Sequence, residues 1–227
     1  MMMNEGPRSR IRLKFARLAP AKDLSHLEQL KLLRARAAAT GLRFSPAKAG
    51  GAQAPRMAFG PAVSVGHESL CEYADLYLDE FVPGARALES FRALDDGMFR
   101  VLSAERIPVF FPSIEAAVNA AEFFMEGEFP AGFSQAAVDA FMAKKSLPYE
   151  KVKPSGERRT LDARTPVLHA SYDQSSSLLR LTLKQEPGKN VKPETVAELM
   201  SGGAPVFRRI VRKELYWLDS GGKLEVF

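Results

Sequence analysis

Three histidines, His26, His67 and His169, and a single cysteine, Cys71, are the side chains most suited to ligation or proton transfer near neutral pH. One thiol excludes an internal disulfide framework, a cysteine-rich zinc site and an iron–sulfur cluster held by this chain alone. His67 and His169 lack the spacing of a metal motif, so no cofactor of the chain's own is expected. His26 is the sharpest candidate. It lies in Ser25-His26-Leu27-Glu28, which has the form of a capping box. One position past a helix cap, the positive helix end favours a neutral imidazole suited to acid–base chemistry, and contact with RNA is a separate functional reading. The competing reading is a structural histidine on the helix's apolar arc. Glu72, Asp75, Asp79 and Glu80 form a run of carboxylates that serves either acid–base chemistry or an acidic docking patch. Asp75 lacks the Arg-Asp context of a pseudouridine-synthase aspartate.

Charge is the second chemical signal. Residues 1–60 carry 12 Lys or Arg against 3 Asp or Glu, a net of +9. Residues 61–150 carry a net of −9 and residues 151–227 a net of +5. A basic first quarter points to a polyanion or an acidic protein, unless basic and acidic thirds face each other inside the fold. The strongest pattern is Arg10-Ile11-Arg12-Leu13-Lys14-Phe15-Ala16-Arg17, which alternates strictly. Period two means a strand, with Ile11, Leu13 and Phe15 on one face and Arg10, Arg12 and Lys14, with Arg8 before them, on the other. Like charges at alternate positions repel, which suits an anion-binding face or one neutralised from within. The candidate RNA-binding set is therefore Arg8, Arg10, Arg12, Lys14, Lys31, Arg36, Lys48 and Arg56. Arg158-Arg159, Arg208-Arg209 and Arg212-Lys213 extend the basic surface.

The elements that position these residues follow from periodicity and punctuation. Residues 1–9 read as a frayed tail. Ser25 opens a helix to about Ala39, with Leu27, Leu30, Leu33 and Ala37 as its apolar arc and Lys31 and Arg36 outside it. Residues 45–56 form a Gly/Pro-rich loop carrying Lys48 and Arg56, and no Gly-Lys-Ser/Thr ending makes it a P-loop. A strand over 57–65, broken near Gly60-Pro61, and a strand over 73–78 follow. A helix from Gly84 to Asp96 and a strand over 99–107 complete β-α-β-β-α-β, a ferredoxin-like order.

The second half repeats the plan. It comprises a strand over 121–129, a helix capped by Ser134, a hairpin over 149–162 and a second hairpin over 167–183. A helix from Pro193 to Met200 and a strand over 206–217 close it. The expected fold is α+β, with two tandem ferredoxin-like units at 10–111 and 119–227, the second carrying an extra hairpin. Phe110-Phe111 and Phe123-Phe124 read as core rather than as base-stacking platforms. No stretch reaches the roughly 20 apolar residues of a membrane helix, and the first residues lack the apolar segment of a secretion signal. The expectation is a cytoplasmic protein.

Several stretches together resemble the radical-SAM-linked domain family, a family of unknown function. They are Arg10 to Phe15, Leu24 to Glu28, Pro55-Arg56-Met57-Ala58-Phe59-Gly60-Pro61-Ala62, Glu72 to Leu76, Pro112-Ser113-Ile114 and Lys192-Pro193-Glu194. The resemblance covers nearly the whole chain and is most specific over residues 10–76. Family members usually carry Ser-Glu-Gly-Phe-Asn-Pro-His-Pro-Arg before the Phe59 strand. The equivalent loop here, Ser45 to Arg56, has no Glu, Asn or His. The resemblance implies a chain encoded beside, or fused to, a radical S-adenosylmethionine enzyme that modifies RNA or protein, with no cluster of its own.

Three functions fit these observations. The leading one is a non-catalytic accessory of a radical-SAM enzyme that binds RNA or presents substrate through its basic N-terminal face. The second is an RNA endonuclease or RNA-modifying enzyme using His26. The third is a protein-interaction module whose acidic middle third meets a partner.

Overall fold

Strand β1 (Ser9–Arg17) places Ile11, Leu13 and Phe15 in the core, each no more than 2 % exposed, as its alternation requires. It begins the first of two units in a computed structural model of the chain, which describes residues 6–47, 54–152, 156–186 and 188–227. The units are Met1–Val118 and Asn119–Phe227. Helices and antiparallel strands are combined in an α+β arrangement.

In the first unit a short 3-10 turn (Ala19–Ala21) leads to α1 (His26–Ala39). The capping box forms as expected: Ser25 Oγ accepts from the Glu28 amide at 3.3 Å, and Ser25 N–H donates to Glu28 Oε2 at 2.8 Å. The buried arc differs from the expected one. It is Gln29, Leu33, Arg36 and Ala37, while Leu27 is 76 % exposed. Two polar residues turn inward because partners await them. Gln29 Oε1 accepts from Arg17 Nη1 at 3.0 Å, and Arg36 Nη1 donates to the Phe99 carbonyl at 2.6 Å.

Next come β2 (Met57–Phe59), β3 (Glu68–Leu78), α2 (Gly84–Arg92) and β4 (Phe99–Ile107). Residues 63–65 do not continue β2, since Pro61 has no N–H for a ladder. β3 starts five residues earlier than its apolar run, recruited by pairing of Ser69 with Arg17. α2 stops at Arg92, short of Asp96. The Asp95 and Asp96 carboxylates instead accept from the amides of Gly97 and Met98, both at 2.9 Å. The strand order is β4-β1-β3-β2, antiparallel throughout. Leu33 and Ala37 of α1 and Ala87 and Phe91 of α2 join the strands' inner residues in one core. Burial of each large side chain among them, such as Leu33 or Phe91, contributes about 1.5–3 kcal/mol. A four-residue helix, α3 (Ile114–Ala117), which the sequence did not announce, ends the unit with Ile114 fully buried.

The second unit contains β5 (Ala120–Glu128), α4 (Gln135–Met142), β6 (Pro148–Val152), β7 (Arg158–Asp162), β8 (Val167–Asp173), β9 (Leu178–Lys184), α5 (Pro193–Ser201), β10 (Val206–Leu218) and β11 (Leu224–Val226). Its order β10-β5-β9-β8 repeats the first unit's, with β11 added on β10. β6 and β7 form a separate two-stranded hairpin inserted between α4 and β8. α5 opens on Pro193 and ends at Gly202, whose φ of 70° is the left-handed stop glycine supplies cheaply. Phe123 is core, but its neighbour Phe124 points to the opposite face beneath Arg180 and Lys213. Arg158 and Arg159 pair within the hairpin region, with Glu150 at 3.0 Å and Glu157 at 2.6 Å.

Candidate nucleic-acid interface

The non-core face of β1 meets β3 in register: Arg10 lies opposite Tyr77, Arg12 opposite Asp75 and Lys14 opposite Tyr73. A row of cations therefore faces a Tyr-Asp-Tyr row. Asp75 is fully buried and receives both arginines. Arg10 donates to Oδ2 from Nε at 3.1 Å and from Nη2 at 2.5 Å. Arg12 donates from Nε to Oδ1 at 2.8 Å and from Nη2 to Oδ2 at 3.0 Å. Both carboxylate oxygens thus accept from guanidinium groups, which suits an electrostatic anchor. Lys14 Nζ lies 5.5 Å from the centre of the Tyr73 ring, and Arg10 and Arg56 lie 5.3 and 4.5 Å from that of Tyr77. Asp75 thus pairs two of the row's cations, Arg10 and Arg12, from within the unit.

Arg10 has a further task. Its Nη1 donates to the carbonyls of Val109 at 3.3 Å and Phe111 at 2.5 Å, and its Nη2 to that of Pro112 at 3.0 Å. With the two bonds to Asp75, every N–H direction of this guanidinium is used. Arg10, only 2 % exposed, is a buried clamp on the segment after β4 rather than a phosphate contact. That segment also makes a tight turn, with Phe111 N–H donating to the Pro108 carbonyl at 3.0 Å.

The clamp presents aromatic surface. Phe110 is 90 % and Phe111 49 % exposed, which corrects the reading of this pair as core. Beside them is an open cleft of about 370 Å3 lined by Arg8, Ser9, Phe81, Arg106, Ile107, Pro108 and Val109. Phe81 is 68 % exposed, and the Arg106 guanidinium lies 6.0 Å from its ring centre. Among the described residues Arg106 has no ion-pair partner. Phe81 and Arg106 escaped the sequence reading, and Phe110 was noticed but read as core. The available signal for an exposed Phe110 was Pro108-Val109-Phe110-Phe111-Pro112, an apolar run bounded by prolines and too short for a buried helix or strand.

The structure divides the expected basic set. Arg8 and Arg56 are exposed, on the cleft and over Tyr77 respectively. Arg10 and Arg12 converge on Asp75. Lys31 is exposed on α1, which packs against the opposite, core face of the sheet. Arg36 is buried in that same layer, bonded to Phe99 and ion-paired with Asp96, because it falls on the inner arc. Lys48 lies outside the described residues. His26 is the first residue of α1, half-buried, and its Nδ1 is buried without a hydrogen-bond partner among the described residues. No group of three or more His, Cys, Asp or Glu among the described residues is placed to hold a metal ion.

No curated protein matches the chain. A family model does, across most of its length, from Arg10 at the head of the clamp to Pro193 at the start of α5. The chain therefore belongs to the DUF2344 family, described as uncharacterized proteins conserved in bacteria, over residues 10–193.

Proposed function

We propose that this chain is a non-catalytic RNA-binding accessory of a radical-SAM enzyme, built of two ferredoxin-like units and acting in the cytoplasm. The repeated strand order, with the added β6–β7 hairpin, supports the architectural part. The RNA part rests on one observation. Three arginines of the first unit lie against aromatic rings rather than carboxylates: Arg34 at 5.3 Å from the Phe59 centre, Arg56 at 4.5 Å from Tyr77 and Arg106 at 6.0 Å from Phe81. None has an ion-pair partner among the described residues. A ring holds a guanidinium in place without cancelling its charge, so the charge stays available to phosphate. The partner enzyme is supported by the family resemblance of residues 10–76.

Fluorescence anisotropy with labelled RNA tests the binding. Affinity should fall steeply with salt, and Arg8→Glu, Arg56→Glu and Arg106→Glu together should abolish binding at moderate salt. All three positions are exposed, so the fold should persist. Affinity within twofold of wild type in that variant defeats the reading. Co-purification of a radical-SAM enzyme with the tagged chain from cell extract tests the partnership.

A further inference from the structure

A hydrogen-bonded turn usually carries Gly, Asn, Asp or Pro at its corner, because those residues suit the backbone and tolerate water. The turn closed by Phe111 N–H and the Pro108 carbonyl carries Val109 and Phe110 there instead. Phe110 is 90 % exposed, and the turn is held from beneath by a buried arginine bonded to three of its neighbouring carbonyls. A rigid support under an exposed aromatic ring breaks the local rule that apolar side chains are buried, and such breaks concentrate at working surfaces. The ring also has suitable company. Exposed Phe81 lines the adjoining cleft, which the turn's Pro108 and Val109 also line and whose charged lining residues are Arg8 and Arg106, with no carboxylate among them.

Resting on the RNA-binding reading, we infer that this cleft is a single-strand site. It stacks unpaired bases on Phe110 and Phe81 and holds the flanking phosphates with Arg8 and Arg106. Aromatic faces accept any base, and two arginines beside them supply the electrostatic contact to the backbone. Paired bases keep their faces stacked on each other, so a duplex has no ring to offer Phe110. Arg10 is the positioning residue, since its bonds to Val109, Phe111 and Pro112 fix the turn without reaching the ligand.

The test compares a labelled single-stranded RNA with a duplex of equal length on the full chain. Wild type should prefer the single strand. Phe81→Ala with Phe110→Ala should lower single-strand affinity roughly tenfold or more, leaving duplex affinity and the thermal midpoint nearly unchanged. Phe110→Trp in the wild-type background should keep full affinity, since it keeps a stacking face. If the double alanine variant binds single strand as wild type does, the cleft is not the site, while RNA binding through other cations stands. If that variant keeps RNA affinity but loses the radical-SAM enzyme, the patch docks protein and the inference is overturned. If wild type binds no RNA even at low salt, the RNA-binding reading fails and this site with it.

Discussion

The Arg10 guanidinium and the Asp75 carboxylate meet on neighbouring strands, Nη2 to Oδ2 at 2.5 Å, in a place where neither side chain is more than 2 % exposed. Their positions are 65 residues apart in the chain. Arg12 binds the same carboxylate, so one buried anion holds two cations and, through Arg10, anchors the turn that carries Phe110.

Replacing Asp75 by Leu should be severe. It leaves two guanidinium groups without their anion in a buried site, and such breakage costs about 3–5 kcal/mol. Urea denaturation should show this loss with little change in slope. A loss under about 1 kcal/mol would mean that water reaches the site.

Arg10→Met should separate stability from presentation. Asp75 retains Arg12, but the carbonyls of Val109, Phe111 and Pro112 lose their donor. Each buried acceptor left unsatisfied costs about 1–3 kcal/mol where water cannot replace the bond. Hydrogen exchange should rise over residues 108–113 before it rises in β1. Single-strand affinity should fall even though Arg10 makes no ligand contact.

Acid should weaken the second unit through Asp162 and Asp173. Burial alone would raise the Asp162 pKa. Hydrogen bonds from Thr165 and from the amides of Leu147 and Arg164 outweigh it and hold the group well below the carboxylate range. Ser175 and Ser176 lower Asp173 to about 2. A carboxylate whose pKa is lower in the folded state stabilises fully above its unfolded value near 3.9 and loses that contribution as pH falls toward its folded value. The difference in thermal midpoint between wild type and Asp162→Asn should thus be largest near neutrality and begin to shrink below about pH 4. A difference that grows on acidification would contradict the assignment.

His26 should prove dispensable for chemistry. Its ring is half-buried at the first position of α1 and its Nδ1 has no partner among the described residues, so His26→Ala removes no such bond. The cost should stay near or below about 1 kcal/mol by thermal melting. His26→Gln should leave RNA affinity within a few fold. RNA cleavage by the purified chain that this substitution stops would restore the enzyme reading.

Gly84 admits no side chain. A Cβ there would stand 2.3 Å from the Ala104 carbonyl oxygen, a backbone atom that cannot turn aside. Gly84→Ala should lower the thermal midpoint by several degrees as α2 is pushed off β4.

Local pattern determined which face each element turns inward wherever one period ran clean. The alternation of Ile11, Leu13 and Phe15, the capping box at Ser25, the Pro193 and Gly202 that bracket α5, and the hairpins of the second unit were all legible, because neighbours along the chain decide them. The order of the elements followed, except for the short α3 and β11. Only the tertiary structure decided what the other face meets. Four like charges at alternate positions signal an anion, but not whether that anion is a phosphate in solution or Asp75 across a strand pair. α1 shows the same limit: Arg36 and Gln29 are polar by type and buried by circumstance, since Phe99 and Arg17 meet them from distant positions. The cleft was the least legible feature. The turn that carries Phe110 is bonded to Arg10 through a carbonyl 101 residues away, and periodicity carries no information at that separation.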